Sequence, residues 1–428
     1  MHGIIGRHLA KSSWWLSVWG VAAAFGTYSC MYAFRKPFTA APFSGQEVFG
    51  WDLKSALISS QIIGYLISKL IGIRVIAEMP PRRRAAALIG LISISHLALA
   101  LFAVLPTPWN VLAMFVNGLP LGLVFGLVLG FLEGRRMTEF LSAGLCASFI
   151  LASGVSKTIG SWLLQAGVSE PWMPFAAGSL FYLPMLGGVW MLTCIPPPDA
   201  QDVVQRSQRE PMTRAMRMTF LAKYAVGMGT IAGVYFLTTI LRSVRDDFGP
   251  ELWQALGTPA MPADYAWTDL WVAVIVLALN SLSILIVDNR RALLASIAMS
   301  AVGAGLILLC LWLQHQQRLG PMGFMVLVGL GLYLPYVAIH TTIFERMIAT
   351  TRDRGNIGFL MYIVDSVGYL GYVALMLGRP LLPRNTAIFP LFFGLCLISG
   401  IVMLLLLSIA AIYFLNVRSQ RGIEEAAS

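Results

Sequence analysis

Between residues 13 and 416 the chain returns repeatedly to apolar runs of roughly twenty residues separated by short polar breaks, a pattern that few folds accept. A helix that crosses a bilayer needs about 20 apolar residues, because each residue rises only ~1.5 Å through the hydrocarbon layer. Twelve runs qualify, near 13–35, 53–73, 85–105, 108–132, 139–167, 172–195, 218–241, 268–288, 291–313, 321–344, 355–378 and 386–416. Composition agrees, with 57% hydrophobic and only 12% charged residues, about half the charged share of a soluble domain. Packed as one or two soluble cores, such a chain would leave large apolar patches in water. The predicted class is an all-α polytopic membrane protein with twelve transmembrane helices. A secreted disulfide scaffold, a nucleic-acid-binding domain and a soluble Rossmann or barrel enzyme are excluded.

The polar stretch 196–217, PPPDAQDVVQRSQREPMTRAMR, divides the runs six and six. The expected organisation is an N-terminal six-helix bundle over 1–195, a cytoplasmic linker over 196–217 and a C-terminal six-helix bundle over 218–428. Charge sets the orientation, since loops on the cytoplasmic side collect Lys and Arg. Placing both termini inside puts nineteen basic residues there, among them Arg82, Arg83, Arg84, Arg135, Arg136, Arg290 and Arg291. Only Lys36, Arg245, Arg318, Arg379 and Arg384 then lie outside. The net charge of +10 is accounted for by this topology and calls for no polyanionic partner. The expected setting is multi-pass in the inner (plasma) membrane, with the first apolar run read as a span rather than a cleaved leader. Trp14, Trp15, Trp51, Trp109, Trp172 and Trp271 sit near span ends, as interfacial tryptophans do.

Cys30, Cys146, Cys194, Cys310 and Cys396 all fall in apolar runs without a CxxC pair, so neither a disulfide framework nor a metal site is expected. No nucleophile–base pair or phosphate loop is visible. The expectation is a non-enzyme without cofactor, without nucleic acid and monomeric, whose partners are the lipid bilayer and a small anionic solute. Gly118, Gly122, Gly126 and Gly130 recur every fourth residue and read as a close-packing seam.

Ionisable groups in hydrocarbon are costly, about 2.5–3.5 kcal/mol each on insertion scales, and so point to function. Lys223 and Arg242 lie near span ends and are expected to snorkel to the headgroups, and Lys54 to be interfacial. Arg35 is late in span one, where the apolar pattern continues to Phe43. Lys69 lies on one helical face with Tyr65 and Gln61, a polar stripe that reads as a cavity wall. Lys157 has Ser153 one turn before it and Ser161 one turn after, a face suited either to helix packing or to lining an anion path. Asp365, near the centre of span eleven, is too deep for a short side chain to reach water by snorkelling, and reads as a coupling group or a counter-charge. His340 is a weaker relay candidate, and His96 reads as a packing residue. The loop 243–267, with Asp246, Asp247, Glu251 and Asp264, reads as a solvated connector or a partial lid. Three cations in the first half against one carboxylate in the second suggest a site that attracts anions.

The six-plus-six layout with a central linker resembles the major facilitator superfamily. Within it, Tyr32-Ala33-Phe34-Arg35-Lys36-Pro37-Phe38 and Tyr65-Leu66-Ile67-Ser68-Lys69 are similar to the Tyr-x-x-Arg-Lys-x-Phe and Tyr-x-x-Ser-Lys elements of the organophosphate:phosphate antiporters. That family includes the glycerol-3-phosphate and hexose-phosphate transporters. Gly329-Leu330-Gly331-Leu332-Tyr333-Leu334-Pro335 and Gly368-Tyr369-Leu370-Gly371 also resemble its pattern. The resemblance implies a phosphate-binding Arg35 supported by Lys36 and Lys69; Tyr32, Tyr65, Gln61, Ser153, Lys157 and Tyr333 complete the expected substrate-binding set. The chain also departs from the family: Ile231 stands where it carries a second arginine, Ser153 falls near its span-five histidine, and Glu78 to Arg84 replace its acidic loop. These departures suggest a divergent branch with an altered anionic or zwitterionic substrate.

The expected function is secondary active transport of a small organic anion by alternating access, with Asp365 and His340 as coupling residues. A non-transporting sensor on the same scaffold and a lipid-headgroup flippase are the alternatives.

Overall fold

A computed structural model of the chain describes residues 2–132, 138–197, 218–219, 222–284, 286–351, 357–381 and 387–416. Most of the expected linker, with Arg206, Arg209, Arg214 and Arg217, lies outside the described residues, as do Arg135, Arg136, Arg352, Arg354, Arg384, Arg418 and Arg421. The protein has an all-α polytopic membrane fold. A short α1 (His2–Ala10) precedes α2 (Ser13–Tyr32), α3 (Leu53–Glu78), α4 (Pro81–Val104), α5 (Trp109–Leu132), α6 (Thr138–Gln165) and α7 (Met173–Thr193). The second half holds α8 (Ala225–Asp247), a short α9 (Gly249–Ala255), α10 (Pro262–Ile284), α11 (Asn289–His315), α12 (Pro321–Ala338), α13 (Phe344–Thr351), α14 (Ile357–Gly378) and α15 (Ile388–Asn416). Among the described residues nine helical stretches are long and apolar enough to cross a membrane. Helices α2, α6 and α14 supply the other three predicted spans.

Helix ends follow local chemistry. The Ser12 side chain accepts from the Trp15 backbone N–H at 3.4 Å and starts α2, and Asp288 does the same for Arg291 at 2.7 Å and starts α11. Prolines open α4, α10 and α12, where the missing N–H has no intrahelical partner to lose. Span one ends at Tyr32, earlier than the apolar pattern suggests, and Pro37 opens the short turn that follows, where its missing N–H has no partner to lose. The chain leaves α2 at Tyr32, winds through a turn and enters a short 3₁₀ helix, Pro37–Ala40. A two-stranded hairpin follows, pairing Glu47 with Asp52 and Val48 with Trp51. Phe49 and Gly50 form its turn at positive φ (51° and 76°), the geometry a tight hairpin requires. Trp271 falls inside α10 rather than at a span end, since this helix begins six residues before the predicted 268.

The chain divides into two compact units. The first comprises Met1–Ser207, Asp246–Leu270 and Val373–Asn385; the second comprises Gln208–Arg245, Trp271–Tyr372 and Thr386–Ser428. In the first, α3 packs on α5, α4 on α5 and α7, and α2 on α6 and α7. The glycine seam is the reason α3 and α5 come so close. A Cβ added at Gly118 would stand 2.0 Å from the Gln61 carbonyl oxygen, and one at Gly122 would stand 2.6 Å from that of Tyr65. Gly130 meets the Arg84 guanidinium instead, whose Nη1 donates to the Gly130 carbonyl. In the second unit α11 is the hub, packing on α12, α13 and α15. Large apolar side chains such as Leu97, Leu183, Leu282 and Leu405 remain exposed on helix faces, as lipid-facing residues must.

Candidate functional site

In the first unit the turn after α2 carries Arg35, and α3 carries Gln61, Tyr65 and Lys69 at helical spacing. Arg35 and Lys69 are both buried, at 4% and 7% exposure, so neither snorkels. The Arg35 guanidinium lies 4.0 Å from the centroid of the Tyr65 ring, and the Lys69 ammonium lies 5.0 Å from the same ring. Two cations therefore share one aromatic partner, whose π face offsets part of their desolvation. Tyr32, one turn before Lys36, is buried and packs edge-on to Tyr28 at 5.6 Å.

Gln61 anchors this group. Its Nε2 donates to the Arg35 carbonyl at 3.1 Å and to Asn117 Oδ1 at 2.7 Å. Asn117, fully buried on α5, lies through Nδ2 at 3.0 Å from the Phe34 carbonyl, 3.0 Å from the Ser95 carbonyl and 2.7 Å from Ser95 Oγ. One amide thus ties the end of α2 to α3 and α4. Asn117 is not among the residues that the sequence pattern singled out, although an Asn inside an apolar run is itself a signal. Replacing Asn117 with alanine leaves several buried polar groups without partners, and each such group costs about 1–3 kcal/mol. We expect a fall in melting temperature of several degrees in the purified protein. An unchanged melting temperature would show that the amide is not the anchor.

Lys36 and Lys157 turn elsewhere within the first unit. Lys36 Nζ contacts Asp247 Oδ1 at 2.5 Å, and Lys157 Nζ donates to the Asp246 carbonyl at 3.1 Å and lies 5.7 Å from the Tyr265 ring. Ser153, one turn before Lys157, is fully buried, and Gly154 beside it lies against the Tyr265 carbonyl. Two expectations are corrected here. Lys54 is not interfacial: at 1% exposure it pairs with Glu251 Oε1 at 2.5 Å. The loop 243–267 is not a solvated connector: α8 runs on to Asp247, α9 follows, and Asp246 and Asp247 are buried. Asp247 is met there by the buried Lys36, and the Asp246 carbonyl by Lys157, which a hydropathy pattern does not register.

In the second unit α8, α12 and α14 bring a different group together. Tyr235 donates its hydroxyl proton to Asp365 Oδ1 at 2.7 Å, stacks on Tyr336 at 5.3 Å and lies 3.5 Å from His340 Nε2. His340 sits on a π-helical turn, Ile339–Ile343, with its Nδ1 3.0 Å from the Tyr336 carbonyl. Such turns often mark functional sites because they re-aim side chains inside a helix. Asp365 and His340 are half-buried, whereas Tyr235, Tyr336 and Tyr369 are buried. Tyr333 is fully buried and meets Tyr336 edge-on at 6.1 Å. Arg242 is corrected as well. Instead of snorkelling it is 4% exposed, 4.6 Å from the Tyr336 ring, with Nη2 3.5 Å from the Tyr369 hydroxyl. Tyr235 and Arg242 stand seven residues apart on α8, a spacing that puts both on one face and that was legible in the sequence. His96 is a packing residue, stacked on Phe175 at 4.5 Å.

A family model described as "Family of unknown function (DUF5690)" matches residues 37–417. No curated protein matches the chain. Among solved structures, a D-xylose-proton symporter is similar at 16% identity and a TM-score of 0.62, over 94% of this chain and 96% of that one. The nucleoside transporter NupG is similar at 12% identity and 0.59, over 92% and 98%. The xylose transporter XylE from E. coli, in its inward open conformation, is similar at 14% identity and 0.56, over 94% of both chains. At these identities the likeness is one of fold, and the chain has a major facilitator fold.

Proposed function

The chain belongs to the DUF5690 family, and we propose that it is a secondary transporter moving a small organic anion by alternating access. The observation that carries this reading is the pair of buried cations, Arg35 and Lys69, gathered on Tyr65 in a membrane-embedded helical unit. A protein that only needed to cross the bilayer would have no use for two charges placed so expensively. A guanidinium fork matches the paired oxygens of a phosphate or carboxylate, and in a site of low dielectric that attraction is strong. Arg35 and Lys69 bind the anion, with Tyr65, Gln61 and Tyr32 holding them in place. The likeness to a proton symporter in fold and the resemblance of the Arg35 and Lys69 segments to organophosphate antiporters both support transport of this kind. The proposed organisation is a bundle over 1–195 and a bundle over 218–428, with both termini cytoplasmic.

Coupling falls to Asp365, His340 and Tyr235. With His340 Nδ1 donating to the Tyr336 carbonyl, a second proton on Nε2 faces the Tyr235 oxygen, whose own proton goes to Asp365. The three groups form a path for one proton. Asp365→Asn is expected to abolish accumulation driven by a pH gradient while sparing exchange of labelled for unlabelled solute. A single coupled proton is worth ~1.4 kcal/mol, or about tenfold accumulation, per pH unit. Full gradient-driven accumulation in Asp365→Asn would remove it from the coupling path.

A thermal-shift screen of the purified protein against inorganic phosphate and phosphorylated or carboxylated metabolites tests the class of solute. Counterflow in proteoliposomes with each stabilising compound then tests transport. Stabilisation without counterflow would favour a sensor on the same scaffold, and no stabilisation by any anion would remove the anion site.

A further inference from the structure

Helices α11 and α15 pack along each other in the second unit, and a groove of about 300 Å³ opens on their seam. Ala298 and Ala301 of α11 and Ser408 and Ala411 of α15 line it, and these short side chains leave the gap. Ile297 and Leu407, both buried, complete its lining from below. Ser408 brings a hydroxyl, but its Oγ donates to the Leu404 carbonyl at 2.8 Å. The wall of the groove is therefore hydrocarbon in character. Its length follows from helical rise, since Leu294 to Ala301 and Ser408 to Leu415 each cover ~10 Å.

One end of the groove is charged. Leu415 stands at the end of α15, and its carbonyl accepts from Arg290 Nη2. Arg290 and Arg291 lie in the first turn of α11, and both are exposed. Capping the Leu415 carbonyl engages one nitrogen of the Arg290 fork. Among the described residues the rest of that fork and the whole Arg291 side chain bond to no protein atom. Asp288, the neighbouring acid, is committed through Oδ1 to the Arg291 backbone N–H at 2.7 Å. Charge balance assigns this end of α11 to the cytoplasmic side.

A hydrocarbon trough that ends at two cations matches an amphiphile with a negative head. Basic recesses between spans on the cytoplasmic side suit anionic lipid headgroups, and a guanidinium fork fits the paired oxygens of a phosphate. A helix of a second copy, ~10 Å across, would bridge the rims of so small a groove rather than fill it. A single acyl chain is thin enough to lie inside. We propose that this groove holds an acyl chain of an anionic phospholipid, with the lipid phosphate on Arg290 and Arg291. The proposal needs only that the chain spans a bilayer and is independent of the transport reading.

The five native cysteines are buried, so Ser408→Cys, exposed in the groove, takes a fluorophore selectively in the full-length protein. The protein is placed in vesicles of equal phosphatidylglycerol and phosphatidylcholine, with a nitroxide on the acyl chain of one lipid or of the other. Quenching at Ser408→Cys is expected to be about threefold or more stronger from phosphatidylglycerol, given two cations at the headgroup level. Leu97→Cys, on the exposed face of α4, is the reference and should sense the two lipids alike. Arg290→Gln with Arg291→Gln should bring the Ser408→Cys ratio down to the reference. Arg291→Gln alone, which disturbs no helix cap, should lower it part of the way. Ala298→Phe, which fills the groove from an exposed position, should also abolish the preference. Equal quenching by the two lipids in the parent overturns the proposal and leaves Arg290 as a cap of α15 alone. So does a preference that survives the loss of both arginines. A Ser408→Cys label shielded from both lipids overturns it too, in favour of a second copy on this face.

Discussion

Arg35→Met is expected to reduce uptake to background and to weaken anion binding by about a hundredfold or more, the effect of removing one partner from a desolvated charge contact. Methionine keeps most of the arginine stem in its packed site and removes only the charge and its hydrogen bonds. The backbone bonds around Arg35, made with Tyr32 and Gln61, do not involve its side chain and are retained, and a cooperative melting transition is the check that the variant folds. Arg35→Lys keeps a charge but loses the planar fork, so its affinity should fall between the two. The measurement is binding and counterflow of whichever anion stabilises the parent protein. Parent-like affinity and uptake in a folded Arg35→Met protein would end the assignment of Arg35 as the anion ligand.

Gly118→Val is expected to yield little folded protein. A Cβ there meets a main-chain oxygen of α3 at 2.0 Å, below the 3.0 Å that real Cβ atoms respect. Both sides of the contact are backbone, so no side chain can swing aside and the helices must part. Parting them also disturbs Gly64, whose added Cβ would lie 2.4 Å from the Phe115 carbonyl, and the Gly122 contact with Tyr65. Overpacking of side chains costs about 1–3 kcal/mol, and a backbone clash should exceed that range. Gly305→Ala on α11 is the control, since nothing lies within 4 Å of its added Cβ. It should melt at or slightly above the parent temperature, because alanine favours helix over glycine by about 1 kcal/mol. Comparable yield and melting temperature for Gly118→Val and the parent would show that the seam tolerates separation.

The seam and the site are one problem. Gly118 and Gly122 were visible as a four-residue repeat, and the repeat correctly marked a close helix contact. That the contact falls on Gln61 and Tyr65, and so sets where Arg35 and Lys69 meet, depended on which helix α5 packs against. The same holds for charge. Buried Arg35 and Lys69 stood out in the sequence because ionised groups are rare in apolar runs. Lys54, Arg242, Asp246 and Asp247 were misplaced because a charge near a span end looks the same whether it reaches water or a partner two hundred residues away. The anchoring roles of Asn117 and Tyr235 were not legible because a hydropathy pattern does not tell a polar group that anchors neighbouring helices from one that merely lies in a span, although the hydrogen bonds of each hold its own group together.

The sequence by itself determined the class, the number of spans and the residues too polar for lipid, because the bilayer imposes a length and a polarity rule that each segment must satisfy alone. Tertiary structure decided the partners. Lys36 finds Asp247, Lys54 finds Glu251 and Tyr235 finds Asp365 across separations of 130 to 211 residues. Pairing of that kind is a property of how helices pack, and a one-dimensional pattern of hydropathy carries no term for it.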